Sequence, residues 1–321
     1  MGLPVTVYRW DDAGAPQLIN KTPSEWITIL KKCLVEGYGS KAGAGWSIDF
    51  EDAAQFKIAF RSSPVDGIGG YVQFWSNNAT DTVGASFLYK AAHGMTSLDG
   101  FVKAGFSEVI KGGGSQGNIS HWMIIATSVG FYLFSMQNNI STLLKGYYSI
   151  FVGELHSFSQ NDAGRFVGTG GQTANRTSDT SISPISQALF FGSVQARPLL
   201  YGVDGSTASV SGSSTAMFPV VTDNLIPSGN DVDAGVTLNF TDVLIYGSQG
   251  IDSLGNLGSV SIVQPYVRGK LPGLLESSFT GYKSTPFPYI RTFFGQQYML
   301  SPVYSQATGL KHWINIEEWY Q

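Results

Sequence analysis

Short stretches with a two-residue hydrophobic repeat constrain the fold of this chain more than any other feature of its sequence. Phe56, Ile58 and Phe60 alternate with polar or small residues, and successive side chains of a β-strand point to opposite faces of a sheet. Further apolar stretches follow, separated by segments rich in Gly, Pro, Asp and Ser. This pattern predicts antiparallel strands joined by turns. The predicted strands are residues 55–61, 71–75, 85–91, 122–127, 131–135, 147–155, 188–194, 199–203, 236–246 and 260–267, with a hairpin turn at 128–130.

One stretch before these strands has the repeat of a helix instead. Residues 22–25 form a capping box, with Pro23 at the first helical position, where its missing N–H costs nothing. Apolar residues at three- and four-residue spacing follow over 26–34. The spacing predicts a helix over 23–36, and a shorter apolar pattern predicts a second helix over 97–104. The expected fold class is α+β: predominantly antiparallel β, with one or two N-terminal helices and a β-rich C-terminal part that is sandwich- or barrel-like.

A polar segment near the middle of the chain predicts a division into two domains. Residues 161–184 are dense in Gly, Ser, Thr, Asn and Asp, and large apolar residues are almost missing after Phe166. Such composition is typical of a linker or a long loop. We therefore expect an α+β N-terminal domain over 1–160 and a β-rich C-terminal domain over 185–321.

The charge balance and the aromatic content narrow the function classes. Charged residues make up 13% of the chain, about half of the ~25% usual in globular domains, and aromatic residues make up another 13%. The chain is too apolar to be disordered, and its net charge of −4 lacks the basic excess of a nucleic-acid-binding protein. Few charges and many aromatic residues predict a surface that partners cover in part.

Cysteine usage and hydropathy bear on redox state and membrane contact. Cys33 is the single cysteine of the chain, so no internal disulfide forms, and free cysteine is usually buried. The longest apolar run, residues 122–134, is interrupted by Thr, Ser and Gly and is shorter than the ~20 residues of a membrane-spanning helix. We expect a buried thiol and no membrane contact.

The patterns that carry catalytic chemistry elsewhere are weak in this sequence. Asp49, Glu51 and Asp52 cluster in one stretch, and a carboxylate pair held about 5–9.5 Å apart would suit glycoside hydrolysis, but a solvated turn or salt-bridge cluster is the favoured interpretation. Glycines follow Lys111 instead of preceding it, the reverse of a phosphate-binding loop. No catalytic residue, cofactor or metal is therefore predicted. The four histidines lack metal-ligand spacing: His93, His121, His156 and His312.

Four stretches taken together resemble one family. They are residues 3–16 with 32–41, residues 45–52 leading to 60–62, residues 151–157 with 161–163, and residues 268–275. As a set they resemble virion structural proteins of tailed bacteriophages, which are usually encoded among tail and baseplate components. The resemblance implies a non-enzymatic structural subunit, with other virion proteins and copies of itself as partners. It also implies assembly in the bacterial host cytoplasm and a final location in the phage particle.

Two of these stretches supply the candidate interface. The start at 5–10, with Tyr8 and Trp10, is expected either to add a strand to a neighbouring subunit's sheet or to form an edge strand of its own domain. Residues 268–275 are expected to form a loop whose shape Pro and Gly determine, either at an interface or as an ordinary core-to-loop transition. The candidate contact residues of this loop are Arg268, Leu271, Pro272 and Leu274.

Two alternative functions stay open at this point. One is a host-receptor or carbohydrate-binding module at the tail tip, with a host surface glycan or receptor as partner, because aromatic residues that include Trp313 and Trp319 are concentrated near the end of the sequence. Aromatic rings at period-two positions more often belong to a core or an interface. The other alternative is a decoration protein on the capsid surface.

Overall fold

A computed structural model describes residues 2–111, 119–137, 146–169, 199–206, 240–246, 267–277, 287–302 and 311–321. It confirms the predicted fold class: within these residues, antiparallel β-sheets predominate, with a single α-helix in the N-terminal part. The predicted strands at 188–194 and at most of 260–267 lie outside the described residues. Residues 199–203 do not belong to any described strand.

The predicted helix is confirmed over its whole length. Helix α1 spans Pro23–Lys31 and continues as a π-helical turn over Lys32–Glu36. Its first turn differs from a standard capping box, because the Glu25 carboxylate accepts hydrogen bonds from the backbone N–H groups of Asn20 and Lys21. Its apolar face is buried, and Cys33 lies there with no exposed surface, as predicted.

The first sheet is a five-stranded meander in the order β3-β4-β5-β6-β7. The second predicted helix, at 97–104, is wrong, because those residues form a turn and the start of a strand. Thr96 N–H donates to Gly100 O at 2.9 Å and closes the hairpin, and pairing along the preceding strand overrides the local apolar spacing. The strands are β3 (Ser47–Asp52), β4 (Lys57–Arg61), β5 (Tyr71–Ser76), β6 (Phe87–Met95) and β7 (Phe101–Lys111), and short 3-10 turns lie at Ala53–Gln55 and Asn77–Ala79.

The second sheet has the order β12-β10-β9-β8-β2. The predicted hairpin at 128–130 is confirmed, since Thr127 N–H donates to Gly130 O at 2.8 Å between its two strands. The start of the sequence pairs with this sheet of its own chain, Val7 opposite Ile125. The strands are β2 (Thr6–Arg9), β8 (Ile119–Ala126), β9 (Gly130–Gln137), β10 (Gly146–Glu154) and β12 (Phe166–Thr169).

The third sheet corrects the prediction for residues 268–275. They are not a loop but the middle of a strand, β14 (Val267–Ser277), with partners on both sides. Pro272 and Gly273 fit there because the ladder to β13 skips residues 271–274, and proline is tolerated at such an irregularity. The sheet has the order β11-β14-β17-β16-β15, and β13 also pairs with β14. The other strands are β11 (His156–Ser157), β13 (Phe240–Tyr246), β15 (Ile290–Phe293), β16 (Gln296–Leu300) and β17 (Lys311–Asn315).

The three sheets are stacked, with the second sheet in the middle. Along β8, Trp122 and Ile124 face a core shared with α1 and the first sheet, whereas Met123 and Ile125 face a core shared with the third sheet. The first and last strands, β1 (Leu3–Pro4) and β18 (Glu318–Trp319), pair with each other. Residues on both sides of the predicted linker thus share the second core, but most of 161–184 lies outside the described residues, and the domain boundary there stays a prediction.

Candidate functional site

Five of the six candidate interface residues are buried inside the protomer. Tyr8 and Arg268 have no exposed surface, and Leu271 and Leu274 are 1% exposed; Pro272 is also buried. The two leucines pack in the core between the second and third sheets. These five side chains stabilise the protomer itself and are out of reach of a partner while this fold persists. Trp10 is half-buried.

The outer edge of β2 is closed by polar side chains. Lys41 Nζ donates to the backbone oxygen of Val7 at 2.7 Å and to the Asp12 carboxylate at 2.5 Å, and the Tyr38 hydroxyl accepts from Arg9 N–H at 3.1 Å. Burial raises the pKa of Asp12, but the hydrogen bonds from Lys41 and Tyr38 outweigh it, and the pKa is lowered overall. A lysine over an edge strand blocks pairing with a further strand. Residues 5–10 therefore serve as an edge strand of their own sheet.

A surface cluster, the Arg9 patch, surrounds the one accessible candidate. It consists of Arg9, Trp10 and Phe287. The guanidinium carbon lies 5.6 Å from the Trp10 ring centre and 5.3 Å from that of Phe287, and the two rings stack at 5.8 Å. Asp11 pairs with the same guanidinium at 2.5 Å. Tryptophan and arginine are the residue types most enriched among those that dominate protein–protein binding energy.

The clustered carboxylates are all engaged locally. Asp49 accepts a hydrogen bond from the Tyr71 hydroxyl at 2.8 Å, and Glu51 pairs with Lys31 at 2.6 Å. Asp52 caps the 3-10 turn by accepting from two backbone N–H groups. This arrangement is the salt-bridge and turn cluster that the sequence favoured over a glycan-cleaving pair.

A buried ion pair joins Arg268 to Asp162, two residues that the sequence did not predict to be in contact. Both nitrogens Nε and Nη2 of Arg268 donate to the Asp162 carboxylate, at 2.6 and 2.5 Å, and neither side chain is exposed. His93 contacts the same segment through Ala163 O at 3.0 Å. Burial lowers the pKa of His93 to about 4. Sequence separation of 106 residues between Asp162 and Arg268 hides such a pair from any local pattern.

A polar cleft of about 320 Å³ lies where β10 meets the last residues of the chain. Glu154 accepts from Arg165 Nε and from Ile68 N–H, and the Tyr320 hydroxyl donates to Glu154 O at 2.7 Å. Burial lowers the pKa of His156 in this cleft, and nearby Lys270 lowers it further. Glu154 and Arg165 thus pair with each other, and the Tyr320 hydroxyl holds the residue after β18 against the second sheet.

The aromatic residues near the end of the sequence are mostly core. Trp313 has no exposed surface and Trp319 is 1% exposed, so neither indole can stack on a sugar in this structure. The observation removes the feature that favoured a carbohydrate-binding module. Among the described residues, no three His, Cys, Asp or Glu side chains are grouped to hold a metal ion, and no helix is long and apolar enough to cross a membrane.

No protein-family model matches the chain, and no curated protein matches it. The functional proposal therefore rests on the surface described above and on the resemblance of the four sequence stretches.

Proposed function

We propose that this chain is a non-enzymatic structural subunit of a tailed-phage virion, located in the tail or baseplate. It works through repeated contacts with copies of itself and with other virion proteins. The observation that carries the proposal is the Arg9 patch, a partly exposed cluster in which the guanidinium packs against the two stacked rings of Trp10 and Phe287. The low charge content and the resemblance to phage virion proteins support the same function.

The Arg9 patch can bind a partner because its flat guanidinium and aromatic rings are weakly hydrated and lose little on transfer from water to an interface. An arginine stacked on aromatic rings loses less hydration on burial than a lysine does, and the rings bury large apolar area. A partner that covers the patch gains this burial while the Asp11 carboxylate continues to pair with the guanidinium. Repetition of one such contact around an axis builds a closed ring.

Mass spectrometry of purified virions tests the location of the protein. The proposal predicts abundant peptides of this chain in several copies per particle, and a density map assigns them to the tail or baseplate instead of the capsid surface. Purified infectious particles without these peptides would overturn the proposal.

Three variants test the patch, two within it and one control outside it. Trp10→Ala should reduce incorporation into particles several-fold, whereas Ile19→Ala, at a residue 76% exposed outside the patch, should leave incorporation unchanged. Arg9→Lys keeps the charge but loses the planar stack, so it should fall between the two. Thermal unfolding of each purified variant separates loss of contact from loss of fold. Equal incorporation of all three would refute the role of the patch.

A further inference from the structure

The hairpin of β15 and β16 has an outer edge, on β15, that carries exposed apolar side chains. Its turn is Phe294-Gly295, with φ of 52° and 79°, the left-handed pair typical of a two-residue hairpin turn. Phe294 is 77% exposed and Ile290 is 41% exposed, and Thr292 between them is also exposed. Ile290 and Thr292 therefore lie on one exposed face of β15, and Phe294 is exposed in the adjoining turn, with its ring centre 5.9 Å from that of Phe240.

The register of the hairpin shows which backbone groups face outward. Leu300 N–H donates to Tyr289 O at 2.9 Å, and Ile290 pairs with Met299 and Phe293 with Gln296. Hydrogen-bonded and non-hydrogen-bonded pairs alternate in an antiparallel ladder. The N–H and C=O groups of Ile290 and Thr292 therefore point away from β16. Within the described ranges, no strand pairs with this outer edge.

We propose that this edge pairs with the same edge of a second copy of the chain, antiparallel across a two-fold axis at Thr292. In that register Thr292 faces Thr292 of the second copy, a favourable cross-strand pair. Arg291 faces Phe293, which repeats the contact that the two make within one chain, where the guanidinium lies 5.5 Å from the ring centre. Ile290 comes beside the turn residue Phe294 of the second copy, so the exposed apolar side chains of the two hairpins cover each other.

The neighbouring symmetric registers are worse. A two-fold axis at Arg291 would place two guanidinium groups directly opposite each other, which is destabilising. A two-fold axis at Ile290 would place Thr292 opposite Pro288, which has no N–H to donate. The chemistry of the edge therefore favours the two-fold axis at Thr292 over these two registers, and this self-complementarity is the reason for naming a second copy as the occupant.

The inference rests on the proposed function for its biological setting, because a structural subunit needs contacts between copies. It also contrasts with β2, whose edge is closed by Lys41. A lysine thus covers the β2 edge, whereas the β15 edge carries exposed apolar side chains, as expected of a docking edge.

The test measures self-association of the full chain by analytical ultracentrifugation. The wild-type protein should form a concentration-dependent dimer. Thr292→Lys should weaken that dimer by at least about tenfold, because like charges meet at the axis, whereas Thr292→Val keeps the strand and should dimerise. A mixture of Thr292→Lys with Thr292→Glu should restore a dimer that neither variant forms alone.

Oxidative crosslinking provides an independent readout of the register. Thr292→Cys should form a disulfide-linked dimer, because opposite residues of a hydrogen-bonded pair lie about 5.5 Å apart at Cα, and Ile290→Cys should not. The native Cys33 does not interfere, since it is fully buried.

The outcomes distinguish this inference from the proposed function. A monomer at high micromolar concentration, or a dimer indifferent to Thr292→Lys, overturns the β15 contact even if the chain is found in virions. Pairing of the edge with a different virion protein in a particle map also overturns it. A dimer that behaves as expected, from a protein missing from purified particles, supports the contact and refutes the virion function.

Discussion

Removal of the Arg268 guanidinium is expected to lower the free energy of unfolding. It should not directly change a contact with a partner, because the side chain is fully buried. Arg268→Met retains most of the side-chain volume but leaves the Asp162 carboxylate without the two charged hydrogen bonds that Nε and Nη2 donate at 2.6 and 2.5 Å. Both side chains are completely buried, and loss of one partner of a buried ion pair costs about 3–5 kcal/mol. That is a large part of a total stability of about 5–15 kcal/mol.

The hydrogen bonds that Asp162 keeps in Arg268→Met place the expected loss of stability towards the lower end of about 3–5 kcal/mol. Asp162 keeps hydrogen bonds from the Ser157 hydroxyl at 2.7 Å and from Gly164 N–H at 2.8 Å. The double variant Arg268→Met with Asp162→Leu removes both charges and so leaves no unpaired carboxylate. It also leaves the Ser157 hydroxyl and Gly164 N–H without an acceptor, which costs about 1–3 kcal/mol. The double variant should therefore lose less stability than the sum of the single variants, with a coupling of at least about 2 kcal/mol.

Urea unfolding followed by tryptophan fluorescence measures these losses. An Arg268→Met variant within about 0.5 kcal/mol of the wild type, or single-variant losses that simply add, would refute the reasoning. Normal stability combined with failed particle assembly would instead assign Arg268 to an interface, as the sequence first suggested.

Three further predictions concern backbone strain, pH and edge protection. Gly273→Ala should cost more than about 2 kcal/mol, because φ is +67° and the new Cβ would lie 2.2 Å from an indole, whereas Gly295→Ala, with φ of +79° and open space around it, should cost about 1 kcal/mol in urea unfolding; equal losses would contradict this. His93 has its pKa lowered to about 4 in the folded state, so its contribution, at most about 3 kcal/mol, is present above pH ~6.5 and is lost as pH falls towards 4. His93→Gln should flatten stability over this interval, and an unchanged pH profile would refute the assignment. Lys41→Met uncovers Val7 O at the β2 edge, so light scattering should show aggregation at concentrations where the wild type is clear; undisturbed solubility would show that the edge needs no lysine.

Local elements of the fold were accessible from the sequence because they depend on local spacing. The helix over 23–36 and the hairpin at 128–130 follow from a capping signal and from alternating apolar residues. The prediction for 97–104 failed because its apolar spacing is short enough to fit either a helix or a strand. Pairing with β6 decided between them.

The candidate site depended on information that no local pattern contains. Residues 268–275 have the Pro and Gly of a loop, but strands on both sides turn them into β14. Trp10 was identified by its sequence context, whereas its stacking partner Phe287 lies 277 positions away (287 − 10) and could not be found before the chain was folded.

The sequence by itself determined the α+β class, the positions of β4, β5, β6, β8, β9, β10 and β13, and the burial of Cys33, since these follow from side-chain periodicity and polarity along the backbone. Only the tertiary structure decided which apolar stripe meets which, which strand edges are closed by side chains such as Lys41, and which charges become a buried pair. The physical reason is that backbone conformation responds to neighbours in sequence, whereas burial and pairing depend on groups brought together from distant parts of the chain.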